Sequence, residues 1–491
     1  MSSPSLHQQP EDTPAGTITG NAQGQTTNGF IRSVGSLTAT AINMTQMCGI
    51  GPFITIPIMV ATFGGPQAII GWVAGAILAL TDGLVWAELG AAMPGAGGTY
   101  IYLREAFQYR AGRLMPFLFI WTAILSIPLI MSTGVIGLVQ YLGYLWPNMS
   151  WLEIHLVSLV IVAVVVFALY RRIQSVGILT NLLFIIMLLS IGLVIVAAFT
   201  HFNPQLAFTY SPHAFTFNGQ FFLGLGAGLV IGIYDYLGYN TTSYMADEMR
   251  NPGRAIPRSI IFSVIGMMIL YLALNIGVLG VVPWQVVAHS SSIASLILER
   301  TWGVGVSRVV TVLIIITAFA SVFTGLLGGS RVPYNAARDG IFLRVFDKLH
   351  PRYRFPYIAL IVMGAITAIG SFFDLTTVIN MLIAVTVLVQ GIGQVVALFV
   401  LRRKQARLKR PYRMWLYPLP AIIALVGWIY VYCSSGSTSI ISSLIWVVAG
   451  IVAFLIWARV EHTWPFGSKE IREAYLEEQA QQENTSAVIN H

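Results

Sequence analysis

The stretch of sequence that decides the fold is Val230-Ile-Gly-Ile-Tyr-Asp-Tyr-Leu-Gly-Tyr-Asn-Thr-Thr-Ser243. It places a carboxylate, two glycines and several polar groups inside a long apolar run. In hydrocarbon an unsatisfied backbone group is costly, so a helix can be interrupted at mid-depth only where its freed N–H and C=O groups line a cavity or bind something. We therefore interpret this interruption as one half of a binding site.

The composition is that of a membrane protein with many spans. Charged residues make up 9% of the 491 positions and apolar residues 56%, a ratio that soluble domains do not have. Charge-free runs recur at lengths that can cross a hydrocarbon layer, which takes about 20 helical residues. The two cysteines, Cys48 and Cys433, are far apart in apolar segments, so no disulfide framework, metal site or cofactor is predicted.

We predict twelve membrane spans, and the basic residues set their orientation. With both termini in the cytoplasm, every Lys and Arg except Arg300 and Arg308 falls on the inner side, as the positive-inside rule requires. The net charge of +8 is thus explained by topology, and no nucleic-acid partner is expected. The expected location is the plasma (inner) membrane. The predicted spans are 37–61, 66–90, 114–145, 152–170, 173–199, 218–249 with its break, 259–282, 308–331, 357–373, 375–401, 414–433 and 436–458.

The spans divide into two halves and an appended pair. Spans 1 and 6 carry the interruptions and lie five spans apart, as an inverted five-plus-five repeat requires. The predicted organisation is a disordered cytoplasmic tail at 1–36, a first repeat at 37–217, a second repeat at 218–410, two further spans at 411–458 and a cytoplasmic tail at 459–491.

The first interruption is Met47-Cys-Gly-Ile-Gly-Pro-Phe53. Gly49 and Gly51 allow unusual dihedrals and close approach, and Pro52 is tolerated in the first turn of a restarting helix. That helix would point its positive N-terminal end into the protein, where the N–H groups of Ile50 and Gly51 could hold a carboxylate. The alternative is a packing kink without a ligand.

The second interruption offers the opposite polarity. The carbonyls near Ile233 to Tyr236 suit an ammonium group, and Asp235 adds a full negative charge, which in a span is a candidate for function. Alternatively, Asp235 caps the helix that restarts near Gly238 or pairs with a neighbour. Tyr234, Tyr236 and Tyr239 could form an aromatic wall. The candidate binding residues are Met47, Gly49, Ile50, Gly51, Tyr234, Asp235 and Leu237.

Other polar residues in the spans are less specific. Asn181, Ser321 and Thr324, together with Asp235, are candidates for coordinating a coupling cation, although Asn181, Ser321 and Thr324 more often hydrogen-bond between helices. Asp82 and Glu88 in span 2 are interpreted as topology or packing elements. The sequence has no recognisable catalytic motif, so an enzyme is not predicted.

Five motifs, in order along residues 37 to 458, resemble the amino acid–polyamine–organocation (APC) superfamily. This resemblance implies the LeuT-type fold, an all-α polytopic membrane protein with 12 transmembrane helices in which helices 1 and 6 are broken and hold the substrate. Ile50 and Pro52 stand where amino acid members commonly have serine and isoleucine, and Gly51-Pro-Phe53 resembles the polyamine-uptake branch. Asn181 stands where proton-coupled members often have lysine, and Gly325 stands where some members have an aromatic, leaving room for a larger or differently shaped ligand. The motifs are Gly49-Ile-Gly-Pro-Phe53, Ala87-Glu-Leu-Gly-Ala-Ala-Met-Pro-Gly-Ala-Gly-Gly-Thr-Tyr100, Asn251-Pro-Gly-Arg-Ala-Ile-Pro257, Ala337-Arg-Asp-Gly-Ile-Phe342, and Arg410-Pro-Tyr-Arg413 with Tyr417-Pro418.

The function expected from these features is secondary transport of amino acids or related organic amines by alternating access, with a proton as the coupling ion. A polyamine uptake transporter and an exchanger without ion coupling remain alternatives. A channel would need a continuous polar stripe, whereas the polar residues cluster at one depth. The expected partners are a small-molecule substrate, a proton and membrane lipid.

Overall fold

The computed structural model describes residues 26–27, 30–31, 34–94, 98–170, 176–210, 214–352, 355–406 and 408–461. Apart from a two-residue antiparallel pair, Thr26–Thr27 (β1) with Phe30–Ile31 (β2), the regular structure of these residues is helical. The first nine α-helices are α1 Ser36–Met47, α2 Gly51–Phe63, α3 Ile69–Ala92, α4 Thr99–Ala111, α5 Leu114–Leu145, α6 Trp151–Leu169, α7 Val176–Thr200, α8 Pro204–Phe208 and α9 Gly219–Tyr236.

The remaining α-helices follow the segment 237–251, which is not α-helical. They are α10 Pro252–Val281, α11 Trp284–Ala288, α12 Ile293–Trp302, α13 Val304–Gly329, α14 Arg331–Arg338, α15 Tyr357–Gly370, α16 Leu375–Thr386, α17 Gly393–Lys404, α18 Leu419–Ser434 and α19 Ser437–Val460. Three short 3-10 helices cover Pro66–Ala68, Thr241–Glu248 and Arg344–Asp347, and a π-helix covers Val387–Ile392 between α16 and α17.

The helices establish a polytopic membrane protein. Within the described residues, seven helical segments are long and apolar enough to cross a membrane, and the bent pair α1 and α2 would make an eighth. Shorter apolar helices lie at Phe184–Thr200, Tyr357–Gly370 and Leu419–Ser434. Every predicted span coincides with a helix or a helix pair, while the count of twelve crossings and the inverted repeat remain predictions.

Some predictions fall on residues that the structure does not describe. These are most of the two predicted tails, at 1–25 and 462–491, and the start of span 5 at 173–175. The side chain of Asn181 also lies outside the described part of the chain.

Close packing of α3 against α9 fixes the position of the second interruption. A Cβ on Gly75 would lie 3.0 Å from the carbonyl carbon of Gly232, and one on Gly232 would lie 2.8 Å from the carbonyl oxygen of Gly71. Small residues at a helix interface let two backbones approach in this way. The rotation of α9, and with it the direction of the Asp235 side chain, is therefore set by these three glycines.

Glu88 joins the end of α3 to the segment between α17 and α18. Its fully buried carboxylate accepts two hydrogen bonds from Arg402, at 2.7 and 2.5 Å, and one from the backbone N–H of Met414 at 2.8 Å. Arg410 Nε lies 3.5 Å from Oε1 of Glu88. Burial, and secondarily the Glu88 charge, raises the pKa of Tyr412 to about 12. These contacts make Glu88 a packing element, as the sequence favoured.

Candidate functional site

The first predicted interruption is a real break between α1 and α2. Helix α1 ends at Met47, helix α2 begins at Gly51, and the two axes bend by 53°. Pro52 lies in the first turn of α2, where its missing N–H is tolerated. The first N–H groups of a helix have no partner within it, so the start of α2 presents a positive end to the protein interior.

The second break follows Tyr236 and contacts the first. Helix α9 ends there, the N–H of Leu237 bonds the carbonyl of Tyr234 at 3.1 Å, and Gly238 has φ +116°. A Cβ on Gly238 would lie 3.1 Å from the backbone nitrogen of Met47. The chain resumes at Thr241 as a 3-10 helix, three residues beyond the restart near Gly238 that the sequence predicted. The two interruptions are thus adjacent, and a side chain at residue 238 would separate them.

Tyr271 of α10 ties the two breaks together. Its buried hydroxyl lies 2.8 Å from the carbonyl oxygen of Met47 and 2.9 Å from that of Asp235, so one O–H donor serves the C-terminal ends of both α1 and α9. Its ring packs 5.2 Å from Trp72 and 5.3 Å from Tyr236 between centroids. Sequence reasoning missed Tyr271, because a tyrosine in a span is commonly a packing residue.

The Asp235 carboxylate faces the start of α2. Its Oδ2 accepts a hydrogen bond from the Thr55 hydroxyl at 2.5 Å, and a Cβ on Gly51 would overlap its Oδ1. Oδ1 is buried and has no hydrogen-bond partner among the described residues. Asp235 lies in the last turn of α9, and its side chain leans across to the positive end of α2. Within the described part of the chain, Thr55 pairs with Oδ2 alone and leaves Oδ1 unpaired, so the choice between a ligand and a structural role for Asp235 remains a prediction.

The predicted wall of three tyrosines does not form. The hydroxyl of Tyr234 lies 2.7 Å from that of Thr133 on α5, Tyr236 reaches the carbonyl of Trp72 at 3.4 Å, and Tyr239 bonds Asp82 at 2.5 Å. Successive residues at the end of a helix point in different directions, so each ring anchors a different neighbour. Tyr234 alone remains beside Gly51, with a ring carbon 3.7 Å from where a Cβ would be.

Two of the candidate coupling residues, Ser321 and Thr324, lie on α13. A Cβ on Gly49 would lie 3.1 Å from the Ser321 hydroxyl, which places Ser321 at the first break. The Thr324 hydroxyl bonds the carbonyl of Ala320 at 2.9 Å within its own helix. The space beside Gly325 is filled by the Met131 thioether, so the expectation of extra room for a ligand there is wrong.

Across the part of the chain that the structure describes, no three His, Cys, Asp or Glu side chains are grouped to hold a metal ion. What the site offers instead is one buried carboxylate oxygen, the positive end of a helix and the backbone of two helix ends.

The chain is similar in sequence to known amino acid transporters. The chain is 26% identical to the branched-chain amino acid permease BcaP of Bacillus subtilis, over 87% of this chain and 93% of the relative. It is 24% identical to the serine/threonine exchanger SteT of the same organism, over 88% and 97%. It is 25% identical to the b(0,+)-type amino acid transporter 1 of Rattus norvegicus, over 89% and 90%.

The family model for amino acid permeases matches residues 34–457, a range that contains both breaks. The members of this family are transporters of small molecules, and the chain is not an enzyme. The chain belongs to the amino acid permease family, within the APC superfamily.

Proposed function

We propose that this protein is a secondary transporter that carries a zwitterionic amino acid across the plasma membrane, binding it between the two breaks. The site is built from the backbone of Met47, Gly49, Ile50 and Gly51 on one side, and from Tyr234, Asp235 and Leu237 on the other. The family match supports amino acid transport, and relatives are named for branched-chain amino acids and for serine and threonine.

The observation that carries this proposal is the Asp235 Oδ1 atom, which is buried and without a hydrogen-bond partner among the described residues. It lies beside Gly51, at the positive end of α2. A negative group and a positive helix end therefore lie next to each other. An α-amino acid carries an ammonium and a carboxylate that are also close together, so each of its charges would face the opposite charge of the site. The ammonium would pair with Oδ1, and the carboxylate with the N–H groups of Ile50 and Gly51 at the start of α2.

Transport would proceed by alternating access. In a fold with twelve spans and an inverted repeat, a bundle that includes the broken helices rocks around a site at mid-depth. Tyr271 holds the carbonyl ends of α1 and α9 together in this conformation, and this contact would be made in some steps of the cycle and broken in others. Both termini would lie in the cytoplasm, because the basic residues favour that side.

A competition experiment in proteoliposomes tests the substrate class. Uptake of labelled leucine, serine and threonine by the purified full-length protein is measured, each with an excess of its own amine or acid analogue. For leucine these analogues are isoamylamine, which lacks the carboxylate, and 4-methylpentanoate, which lacks the amine. We expect the intact amino acid to compete and both analogues to compete at least about tenfold less, since each loses one charged contact worth more than ~1.4 kcal/mol.

Asp235→Asn is the companion variant, with Asp374→Asn as its matched control because Asp374 is an exposed carboxylate that caps α16. We expect Asp235→Asn to lower uptake much more than it lowers the amount of protein in the membrane, while Asp374→Asn changes neither. Equal losses of uptake and of protein would make Asp235 a structural residue and would contradict the proposal.

Polyamine uptake is the second candidate function. The same unpartnered Asp235 oxygen supports it, because a polyamine needs an acidic partner and no carboxylate subsite. Under this alternative, spermidine competes and isoamylamine competes as well as leucine. Exchange without an ion is supported by the name of the relative SteT, and counterflow into vesicles preloaded with unlabelled amino acid, compared with uptake into unloaded vesicles, separates exchange from net uptake.

A further inference from the structure

Asp82 of α3 is a buried carboxylate with no role in the proposed substrate site, although the small cavity beside it is also lined by Leu237 of that site. Its Oδ2 accepts hydrogen bonds from the Trp86 indole at 3.1 Å and the Tyr239 hydroxyl at 2.5 Å, and its Oδ1 accepts one from the Trp428 indole at 3.0 Å. Indole N–H groups can only donate. The arrangement therefore favours the ionised carboxylate, and Oδ1 retains a free lone pair.

This negative charge has no cationic partner among the described residues. The facing titratable groups from neighbouring elements are Tyr239 after α9 and Tyr244 of the 3-10 helix, whose ring lies 5.7 Å from that of Trp86. Helix α10 presents Ile260 beside Gly83, and α18 presents Trp428. The charged side chains Glu88 on α3, Arg402 on α17 and Arg410 beyond it are paired with one another. Asp82 is thus compensated by neutral donors alone.

A small cavity adjoins the carboxylate. It has a volume of about 10 Å³ and is lined in part by Asp82, Tyr239, Asn240, Thr386 and Gln390, and one water needs roughly that much space. Gln390 belongs to the π-helix Val387–Ile392, and π-helical turns inside α-helices are frequent at functional sites. The cavity offers room for one water next to Asp82 and is too tight for a hydrated metal ion.

We propose that Asp82 is the site at which a proton binds to couple transport to a proton gradient. This inference rests on the proposed transport function and assigns its coupling ion. A hydronium ion gives its proton to the free lone pair of Asp82 Oδ1 and leaves as water, and the neutral carboxyl returns the proton to water on the other side of the membrane. One positive charge therefore crosses with each substrate molecule.

Tyr239 connects this proton site to the substrate site. It lies four residues beyond Asp235, in the link between α9 and the 3-10 helix, and it attaches that link to α3. Proton binding removes the charge on which the Tyr239 hydrogen bond depends and so loosens the link. Conversely, when the link moves away, Asp82 loses a donor and binds a proton more readily, as reciprocal linkage requires.

Infrared spectroscopy tests proton binding without any substrate. The purified full-length protein in lipid is acidified stepwise, and the carboxylic C=O band of a carboxyl in apolar surroundings is recorded. Because Asp235 is also a buried carboxyl, the band is recorded in an Asp235→Asn background, where we expect Asp82→Asn to remove it and Asp374→Asn, which alters an exposed carboxyl, to leave it in place. A band that persists in Asp82→Asn overturns the inference.

Transport provides the second readout, with the labelled amino acids of the competition experiment as probes. The quantity measured is the ratio of uptake with an inward proton gradient to uptake at equal pH. We expect this ratio to exceed one for the natural protein and for Asp374→Asn, and to fall to about one for Asp82→Asn. An unchanged ratio in Asp82→Asn, or stimulation by a sodium gradient in place of the proton gradient, contradicts the inference.

Tyr239→Phe keeps the assignment testable should Asp82→Asn fail to fold. This variant removes one hydrogen bond to the Asp82 carboxylate. The pH at which half of the infrared carboxyl band has appeared should therefore move up by about one to two pH units. A midpoint that stays in place or moves down contradicts the inference. If the natural protein moves none of the probes, the transport function fails, while the infrared band still decides whether Asp82 binds a proton.

Discussion

Replacing Tyr271 by phenylalanine removes the hydroxyl that contacts the carbonyl ends of both α1 and α9. The ring would keep its contacts with Trp72 and Tyr236, at 5.2 and 5.3 Å, so little packing is lost. The carbonyls of Met47 and Asp235, now bonded at 2.8 and 2.9 Å, would lose their shared donor. Leaving a buried acceptor unsatisfied costs about 1–3 kcal/mol. Because the two carbonyls share a single O–H proton, this value applies to both carbonyls together.

The same energy sets the expected effect on transport. If the two carbonyls are held together in some conformations of the cycle and not in others, a loss of about 1–3 kcal/mol changes the balance between those conformations by about 5–150-fold. We therefore expect Tyr271→Phe to lower both the thermal unfolding temperature and the exchange flux per molecule. Unfolding is followed in detergent, and flux is followed in proteoliposomes of known protein content.

Tyr236→Phe is the matched control for this experiment. Tyr236 is buried in the same cluster, but its hydroxyl makes a single 3.4 Å contact with the carbonyl of Trp72, so its loss should cost less than about 1 kcal/mol. If Tyr271→Phe proves no more harmful than Tyr236→Phe in both assays, Tyr271 does not clamp the breaks and the reasoning is refuted.

Two further predictions follow from the contacts of Gly51 and Glu88. Gly51→Ala places a Cβ against Asp235 Oδ1, so it should lower the free energy of unfolding by about 1–3 kcal/mol and cause a large loss of uptake. In Gly49→Ala the new Cβ lies 3.1 Å from the Ser321 hydroxyl, and this variant should lose less uptake. Equal uptake by the two variants would contradict this order. Glu88→Gln leaves Arg402 and Arg410 without their buried partner and should cost about 3 kcal/mol or more, measured by thermal unfolding. In the same assay Glu461→Gln, whose partner Arg344 is 80% exposed, should cost less than about 1 kcal/mol, and a similar loss in both variants would contradict the role assigned to Glu88.

The first break and the helix positions could be predicted because their signals are local. Gly49, Gly51 and Pro52 interrupt an apolar run within four residues, and the charges that separate the spans stand in the sequence itself. Many helix ends lie within a few residues of the predicted bounds, as with Leu114–Leu145 for the span at 114–145, whereas α10 begins at Pro252, well before the predicted 259.

The contacts across the site could not be predicted, because they depend on how helices distant in sequence are rotated. Thr55 lies 180 positions from Asp235 and looks like any threonine on a helix. The direction of Asp235 depends on the fit of Gly232 against Gly71 and Gly75, which no periodicity reveals. Asp82 looked like a packing residue until Tyr239 and Trp428 were seen to meet on it.

The central claim is that two broken helices share one small zwitterion, and a structure of the protein with a bound amino acid transported in the uptake assay tests it most directly. The account predicts the substrate carboxylate within hydrogen-bond distance of the Ile50 and Gly51 N–H groups, and its ammonium against Asp235 Oδ1. A substrate bound elsewhere, or a helix that runs unbroken through residues 48–50 when substrate is bound, would contradict it.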